Sequence, residues 1–176
     1  GFPNDDEAEI RHHLDVLKEL RPTVASFFIL TPIPGTEQYD DFRRAGWITE
    51  RNLDRFDGTC PTWTHPILSP RRLEDLLYRC YVSYYGFLLK TGGLSDEEQR
   101  IAIYHRYTAA RRTHPMSGGY DQLRVDSAAD YAALRRAAYD IDLVPLPDSL
   151  SLSANDDALN RRLDWRVERP VEHATP

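Results

Sequence analysis

An α/β fold is the class that the sequence predicts, and the first 36 residues carry the prediction. Residues 24–30 form an apolar, β-branched and aromatic run without alternation, which is typical of a strand buried on both faces of a parallel sheet. Residues 5–20 precede it, with apolar positions at helical spacing behind a capping aspartate. This order is most of one βαβ unit without its first strand, so we expect residues 1–4 and 31–36 to lie side by side at one edge of a sheet.

The sequence TPIPGT, at residues 31–36, ends this predicted strand abruptly. Its two prolines lack backbone donors and impose extended geometry, while Gly35 permits a turn that other residues disfavour. Thr36 can cap a short helix over about residues 37–45. Because ligands of α/β sheets bind at the carboxyl ends of strands, this turn is the first place to expect a site. A rigid turn that binds nothing is the alternative interpretation of the same pattern.

Three further helices are predicted after residue 68. The strongest begins at Ser69-Pro70, where serine supplies the cap and proline the first helical position. A capping box at residues 95–98 begins the second, and residues 128–139 can form the third. We expect residues from about 148 onward to be mobile or loosely attached, because they are rich in proline, serine and charge. The first of these helices carries residues predicted to pack in the core: Tyr78, Cys80, Tyr81, Tyr84 and Tyr85.

Composition limits the partners that this chain can have. Its 176 residues carry a net charge of −6 without a basic stripe, which disfavours a nucleic-acid partner held through phosphates. No apolar run approaches the roughly 18–20 residues that span a bilayer, and no signal peptide is visible. Two cysteines match neither a disulfide framework nor a zinc motif. We therefore expect a cytoplasmic protein with neither nucleic acid nor membrane as a partner.

Asp57, Cys60 and His65 lie close together in the sequence and suggest a nucleophile or a metal site. Their spacing matches no metal motif, and a nucleophile needs a base that a third group orients. Catalysis by this trio, in a barrel enzyme of another kind, is therefore a minor alternative. The residue types by themselves assign no catalytic residue and no metal ligand in this chain.

An ordered series of motifs over residues 1–90 resembles the last third of a radical SAM core, of the type that carries an N-terminal cobalamin-binding-like domain. The resemblance implies the C-terminal portion of a partial (β/α)6 TIM-like barrel, an incomplete domain, followed by a mainly helical extension. The segments that carry the resemblance are GFPNDD at 1–6, FFILTPIPGT at 27–36, GWI at 46–48, NLDRFD at 52–57, HP at 65–66, LS at 68–69 and the helix over 73–85.

The resemblance also implies a domain organisation and an activity. Residues 1–57 would be the last part of the barrel, residues 58–112 a loop and helical extension, and residues 113–176 a poorly defined, partly flexible tail. In this family a [4Fe-4S] cluster on a Cys-x3-Cys-x2-Cys loop cleaves S-adenosylmethionine (SAM) reductively and yields a 5′-deoxyadenosyl radical. The last two strands form a wall of the site that contacts the adenine.

Carried onto this sequence, the resemblance places cofactor-binding residues in two short segments. The cluster-binding motif Cys-x3-Cys-x2-Cys does not occur in the sequence. The resemblance therefore implies a fragment that is inactive alone and whose partner is the upstream part of its own chain. The small-molecule substrate and the use of cobalamin are left open. A stand-alone α/β binding or interaction module without a catalytic role is the alternative. The implied cofactor-binding residues are Gly1, Phe2, Pro3, Asn4, Thr31, Pro32, Ile33 and Pro34.

Overall fold

The computed structural model describes residues 1–112, 114, 128–141 and 143. The predicted tail from residue 148 onward lies outside these ranges. None of the described helices is long and apolar enough to cross a lipid bilayer. The helical elements are α1 (Glu7–Leu20), α2 (Glu37–Arg44), a 3-10 turn (Leu53–Arg55), α3 (Pro70–Thr91), α4 (Asp96–Ala110) and α5 (Ala128–Asp140).

Side-chain caps begin four of these helices, and the predicted helix starts are confirmed. In front of α4 the cap is a complete box, because Ser95 Oγ accepts from the Glu98 N–H and the Glu98 carboxylate accepts from the Ser95 N–H. Each cap pairs N–H groups that a helix leaves without partners and contributes about 1 kcal/mol. The four cap residues are Asp6, Thr36, Ser69 and Ser95.

The α/β prediction is wrong for the described residues, which contain no β-strand, no sheet and no part of a barrel. Residues 24–30 pair with no strand, and the β-type pairing within the described ranges is one isolated antiparallel bridge between Ile48 and Trp63. The segment is not buried on both faces either, since Val24 is 47% exposed and Phe28 is 49% exposed. We call residues 22–31 the extended segment.

Tyrosine hydroxyls on α3 take the place that a neighbouring strand would occupy. The Tyr85 hydroxyl accepts from the Ala25 N–H at 3.0 Å and donates to the Ala25 carbonyl at 2.9 Å. The Tyr81 hydroxyl bonds both backbone groups of Phe27 in the same way, at 3.0 and 3.1 Å. The spacings match because a helix rises about 6 Å in four residues and an extended chain about 6.7 Å in two. One edge of the extended segment is therefore satisfied without a second strand.

The hydrophobic core is centred on α3, which contacts α1, α4 and α5. Three tyrosines of α3 are fully buried, and the predicted core role of this helix face is confirmed. A smaller aromatic cluster joins α2 to the connection before α3, where the rings of Phe42 and Trp63 lie 4.6 Å apart between centroids. The buried tyrosines are Tyr81, Tyr84 and Tyr85.

Gly86 lies in the middle of α3, against the buried guanidinium of Arg106 on α4. A Cβ at this position would come within 2.6 Å of Arg106 Nη1 and 2.8 Å of Cζ. At a solvent-exposed position inside a helix, Gly→Ala raises the free energy of unfolding by about 1 kcal/mol. Here we expect Gly86→Ala to lower the free energy of unfolding by about 2 kcal/mol, because the crowded guanidinium has no solvent to turn into.

Urea denaturation of Gly86→Ala measures the sign of this effect. Ser83→Ala, at an exposed position of the same helix, is the matched control and is expected to change stability by less than about 0.5 kcal/mol. A gain in stability for Gly86→Ala would contradict the close contact between α3 and α4.

Candidate functional site

A pocket of about 440 Å³ brings together parts of the chain that are distant in sequence. Four of the eight predicted cofactor-binding residues line it, namely Gly1, Phe2, Thr31 and Ile33. Pro3, Asn4, Pro32 and Pro34 do not, and Pro32 is fully buried. The two predicted segments thus share one pocket, although no sheet edge joins them. The pocket is completed by Phe28, Ile29, Leu30, Phe56, Asp57 and Gly58.

The wall of this pocket is apolar and open to solvent. Phe2 is 61% exposed, and Phe28 and Ile33 are each 49% exposed. Large apolar side chains that are exposed around one pocket indicate a surface for a ligand or a partner. The aromatic rings of Phe2 and Phe28 offer flat surfaces of the kind on which a planar ligand stacks.

Backbone groups of the extended segment add polarity to this apolar wall. In the described part of the chain, neither the N–H nor the carbonyl of Phe28 has a hydrogen-bond partner. Its neighbour Ile29 is paired, because the Ile29 N–H donates to the Gly58 carbonyl at 2.7 Å. Gly58 has a φ of +80°, and a Cβ there would lie 2.9 Å from the Phe28 ring. This close approach requires glycine at position 58. Phe28 itself lines the pocket and brings one backbone donor and one backbone acceptor to it.

Both rims of the pocket are closed turns. At the first rim, the Asp5 N–H donates to the Phe2 carbonyl at 2.9 Å, and Asp5 Oδ2 accepts from the Phe2 N–H at 2.8 Å. At the second rim, the Thr36 N–H and hydroxyl donate to the Ile33 carbonyl at 3.1 and 2.7 Å. Gly35 has a φ of +89°, as a type II turn with proline before glycine requires. The predicted turn at residues 31–36 is confirmed.

Two side chains that the sequence did not assign to the site connect its rims. His65 Nε2 lies 2.7 Å from the Phe2 carbonyl oxygen, and Trp63 Nε1 donates to the Leu30 carbonyl at 2.7 Å. His65 Nδ1 accepts from the N–H groups of Ile67 and Leu68 at 3.1 and 3.0 Å. An Nδ1 that accepts carries no proton, so Nε2 carries it and donates to Phe2. The sequence held a signal for the role of Trp63, because the indole N–H of a buried tryptophan needs a hydrogen-bond acceptor.

Asp57, Cys60 and His65 do not form a catalytic group in this arrangement. Both nitrogens of His65 bond backbone groups, Asp57 Oδ1 accepts from Thr59, and the Cys60 thiol donates to the Arg55 carbonyl at 3.4 Å. Burial raises the pKa of the Cys60 thiol, and the nearby Arg55 offsets this only in part. A thiol with a raised pKa is a poor nucleophile at neutral pH.

The described residues also offer no ligand set for a metal ion or an iron–sulfur cluster. No group of three or more histidine, cysteine, aspartate or glutamate side chains within them is arranged to hold a metal. Cys80 is buried in the core, where burial raises the pKa of its thiol to about 11. Iron–sulfur clusters are held by cysteine thiolates, so this part of the chain does not fit a cluster.

Comparison with family models, with curated proteins and with solved structures found no match to this chain. A functional assignment therefore depends on the chemistry of the pocket and on the motifs in the sequence.

Proposed function

We propose that this chain forms the adenine-side wall of the SAM site in a radical SAM enzyme and is inactive alone. The observation that carries the proposal is a pocket of the described residues that joins Gly1 and Phe2 to Thr31 and Ile33. The resemblance to radical SAM proteins implies adenine contact for these two segments, which are about 30 residues apart and have no backbone hydrogen bond between them in the described chain. Their meeting at an exposed apolar pocket supports the assignment.

The pocket offers what adenine needs. Adenine is flat and apolar on its faces, with a hydrogen-bond donor and ring acceptors on its edge. The rings of Phe2 and Phe28 supply aromatic surface, and the Phe28 backbone supplies one N–H and one carbonyl without partners in the described residues. A mostly apolar pocket with a few placed polar groups is the usual form of a cofactor site.

The reactive part of this site would lie in the upstream part of the same chain. The chemistry that a [4Fe-4S] cluster would supply there is the reductive cleavage of SAM for reaction with a small-molecule substrate. The residues described here would hold the adenine in position and exclude water from it. The proposal is compatible with cobalamin as a further cofactor and involves neither nucleic acid nor a membrane.

Ile33→Asp is expected to weaken SAM binding by the full-length, cluster-loaded protein at least about tenfold, because the carboxylate would have to lose water beside the adenine. Ile33 is half exposed, so the change removes little packing from the core. Ile67, which is 56% exposed and does not line the pocket, gives the matched control Ile67→Asp. Equilibrium dialysis with radiolabelled SAM measures both variants, and equal dissociation constants would remove this pocket from the SAM site.

The exposed apolar side chains of the same pocket favour a second candidate, a binding or interaction module without a catalytic role. The two candidates differ in the wild-type protein. A full-length protein that contains no iron–sulfur cluster and does not bind SAM would favour the interaction module. Cluster content by absorption spectroscopy and SAM affinity by dialysis distinguish them.

A further inference from the structure

We propose that Trp63 and His65 form a two-point clasp that sets the separation of the pocket's two rims, and that His65 is thereby a positioning residue for the bound ligand. The identity of that ligand as SAM rests on the proposed function. The clasp itself rests on contacts within the chain.

The clasp consists of two buried side chains on one short segment. Trp63 is 0% exposed and His65 is 4% exposed, and their ring centroids lie 5.1 Å apart. Trp63 donates to the Leu30 carbonyl, three residues before the second rim begins at Ile33, and His65 donates to the Phe2 carbonyl of the first rim. In an extended chain, side chains two residues apart lie on the same face, so one segment can present both.

The backbone that carries the clasp is itself held in place. Thr64 lies between Trp63 and His65, and its backbone N–H donates to the Trp47 carbonyl at 2.7 Å. Trp63 also makes the isolated β-bridge with Ile48. In the described residues, no backbone hydrogen bond joins residues 1–5 to residues 28–33. The hydrogen bonds from Trp63 and His65 therefore supply the connection between the rims that paired strands would make with their backbones.

The two nitrogens of His65 have separable tasks. Nδ1 accepts from Ile67 and Leu68 and shapes the turn that leads into α3. Nε2 makes the long-range bond to Phe2. Asparagine can retain an acceptor near the Nδ1 position but is too short to reach Phe2, whereas the amide nitrogen of glutamine lies as many bonds from Cβ as Nε2 does. His65→Asn and His65→Gln thus separate the turn from the clasp.

In the full-length, cluster-loaded protein, we expect His65→Asn to raise the dissociation constant for SAM about fivefold, the equivalent of one net hydrogen bond. His65→Gln is expected to restore the affinity to within about twofold of wild type, a rescue that a purely structural role at Nδ1 does not give. If His65→Asn does not fold, Trp63→Phe carries the test, because it removes the donor to Leu30 and keeps an aromatic ring. Equal affinity in wild type and in the variant tested overturns the positioning role.

Failure of the proposed function gives a different result. In that case the wild-type protein does not bind SAM, and hydrogen exchange at the Asp5 amide, which donates to the Phe2 carbonyl, becomes the measurement. Faster exchange at Asp5 in His65→Asn than in His65→Gln supports the clasp. Equal exchange in the two variants and in wild type overturns it.

Discussion

Replacement of Asp75 by asparagine is expected to lower the free energy of unfolding by about 3 kcal/mol. Asp75 is 6% exposed on α3, and its carboxylate lies among cations from α3 and from the residues after α4. Arg72 extends the network to α1 through an ion pair with Glu7. The donors to the Asp75 carboxylate are Arg72 Nη1 at 2.7 Å, Arg79 Nε at 2.5 Å and Arg112 Nη2 at 2.6 Å.

The size of the stability loss expected for Asp75→Asn follows from the burial of the ion pair between Asp75 and Arg112. The side chain of Arg112 is only 10% exposed, so loss of the Asp75 charge weakens the interaction of a buried cation with the carboxylate to which its Nη2 donates. Breaking one partner of a buried pair costs about 3–5 kcal/mol, whereas an exposed pair contributes at most about 1 kcal/mol. Asp15→Asn, which breaks an exposed pair with Lys18, is the matched control. Equal losses in the two variants, measured by urea denaturation, would contradict the role assigned to Asp75.

The same network predicts how stability changes in acid. Burial raises the pKa of Asp75, but hydrogen bonds and charge from Arg112 and Arg79 outweigh it and hold the pKa below the ordinary value of 3.8. A depressed folded-state pKa contributes stability that is complete above the unfolded-state pKa and is lost as pH falls through the folded-state value. The gap in melting temperature between wild type and Asp75→Asn should therefore narrow below about pH 4. A gap that stays constant down to about pH 2 would contradict this linkage.

Removal of the Tyr81 or the Tyr85 hydroxyl is expected to lower the free energy of unfolding by a smaller amount than Asp75→Asn does. Tyr81→Phe leaves the Phe27 N–H without its partner, while the Phe27 carbonyl keeps its bond from His114 Nε2 at 3.0 Å. Tyr85→Phe removes the partner of both backbone groups of Ala25. Each half-buried group left unpaired costs at least about 1 kcal/mol, so we expect Tyr81→Phe to lose about 1 kcal/mol and Tyr85→Phe about 2 kcal/mol. Chemical denaturation of the single variants measures both losses.

Tyr78 provides the control for this prediction on the same helix. It is 5% exposed, and within the described residues its hydroxyl makes no hydrogen bond. Burial raises the pKa of Tyr78 to about 12, so the hydroxyl is neutral and its removal breaks no ion pair. Tyr78→Phe is expected to change stability by less than about 0.5 kcal/mol. If Tyr81→Phe were as mild as Tyr78→Phe, the hydroxyls would not support the extended segment.

The candidate site was predictable in part. The sequence predicted that residues 1–4 and 31–36 would meet at the edge of a sheet. The described chain has no such sheet, but four of the eight residues named for the site line one pocket. The rest could not be predicted, because alternate residues of an extended turn point in different directions and Pro32 points into the protein. Phe56 and Gly58 enter the pocket from a loop whose path depends on contacts with the extended segment.

The sequence by itself determined where the helices begin and that residues 24–30 are extended and apolar. Those signals are local, since a cap or a helical stripe acts within a few residues of itself. The tertiary structure alone decided that the extended segment does not join a sheet in the described chain. Its inner edge is satisfied by Tyr81 and Tyr85, 54 and 60 residues away in sequence. The periodicity of apolar residues indicates which side chains are buried, but it does not indicate which distant groups form hydrogen bonds with the backbone.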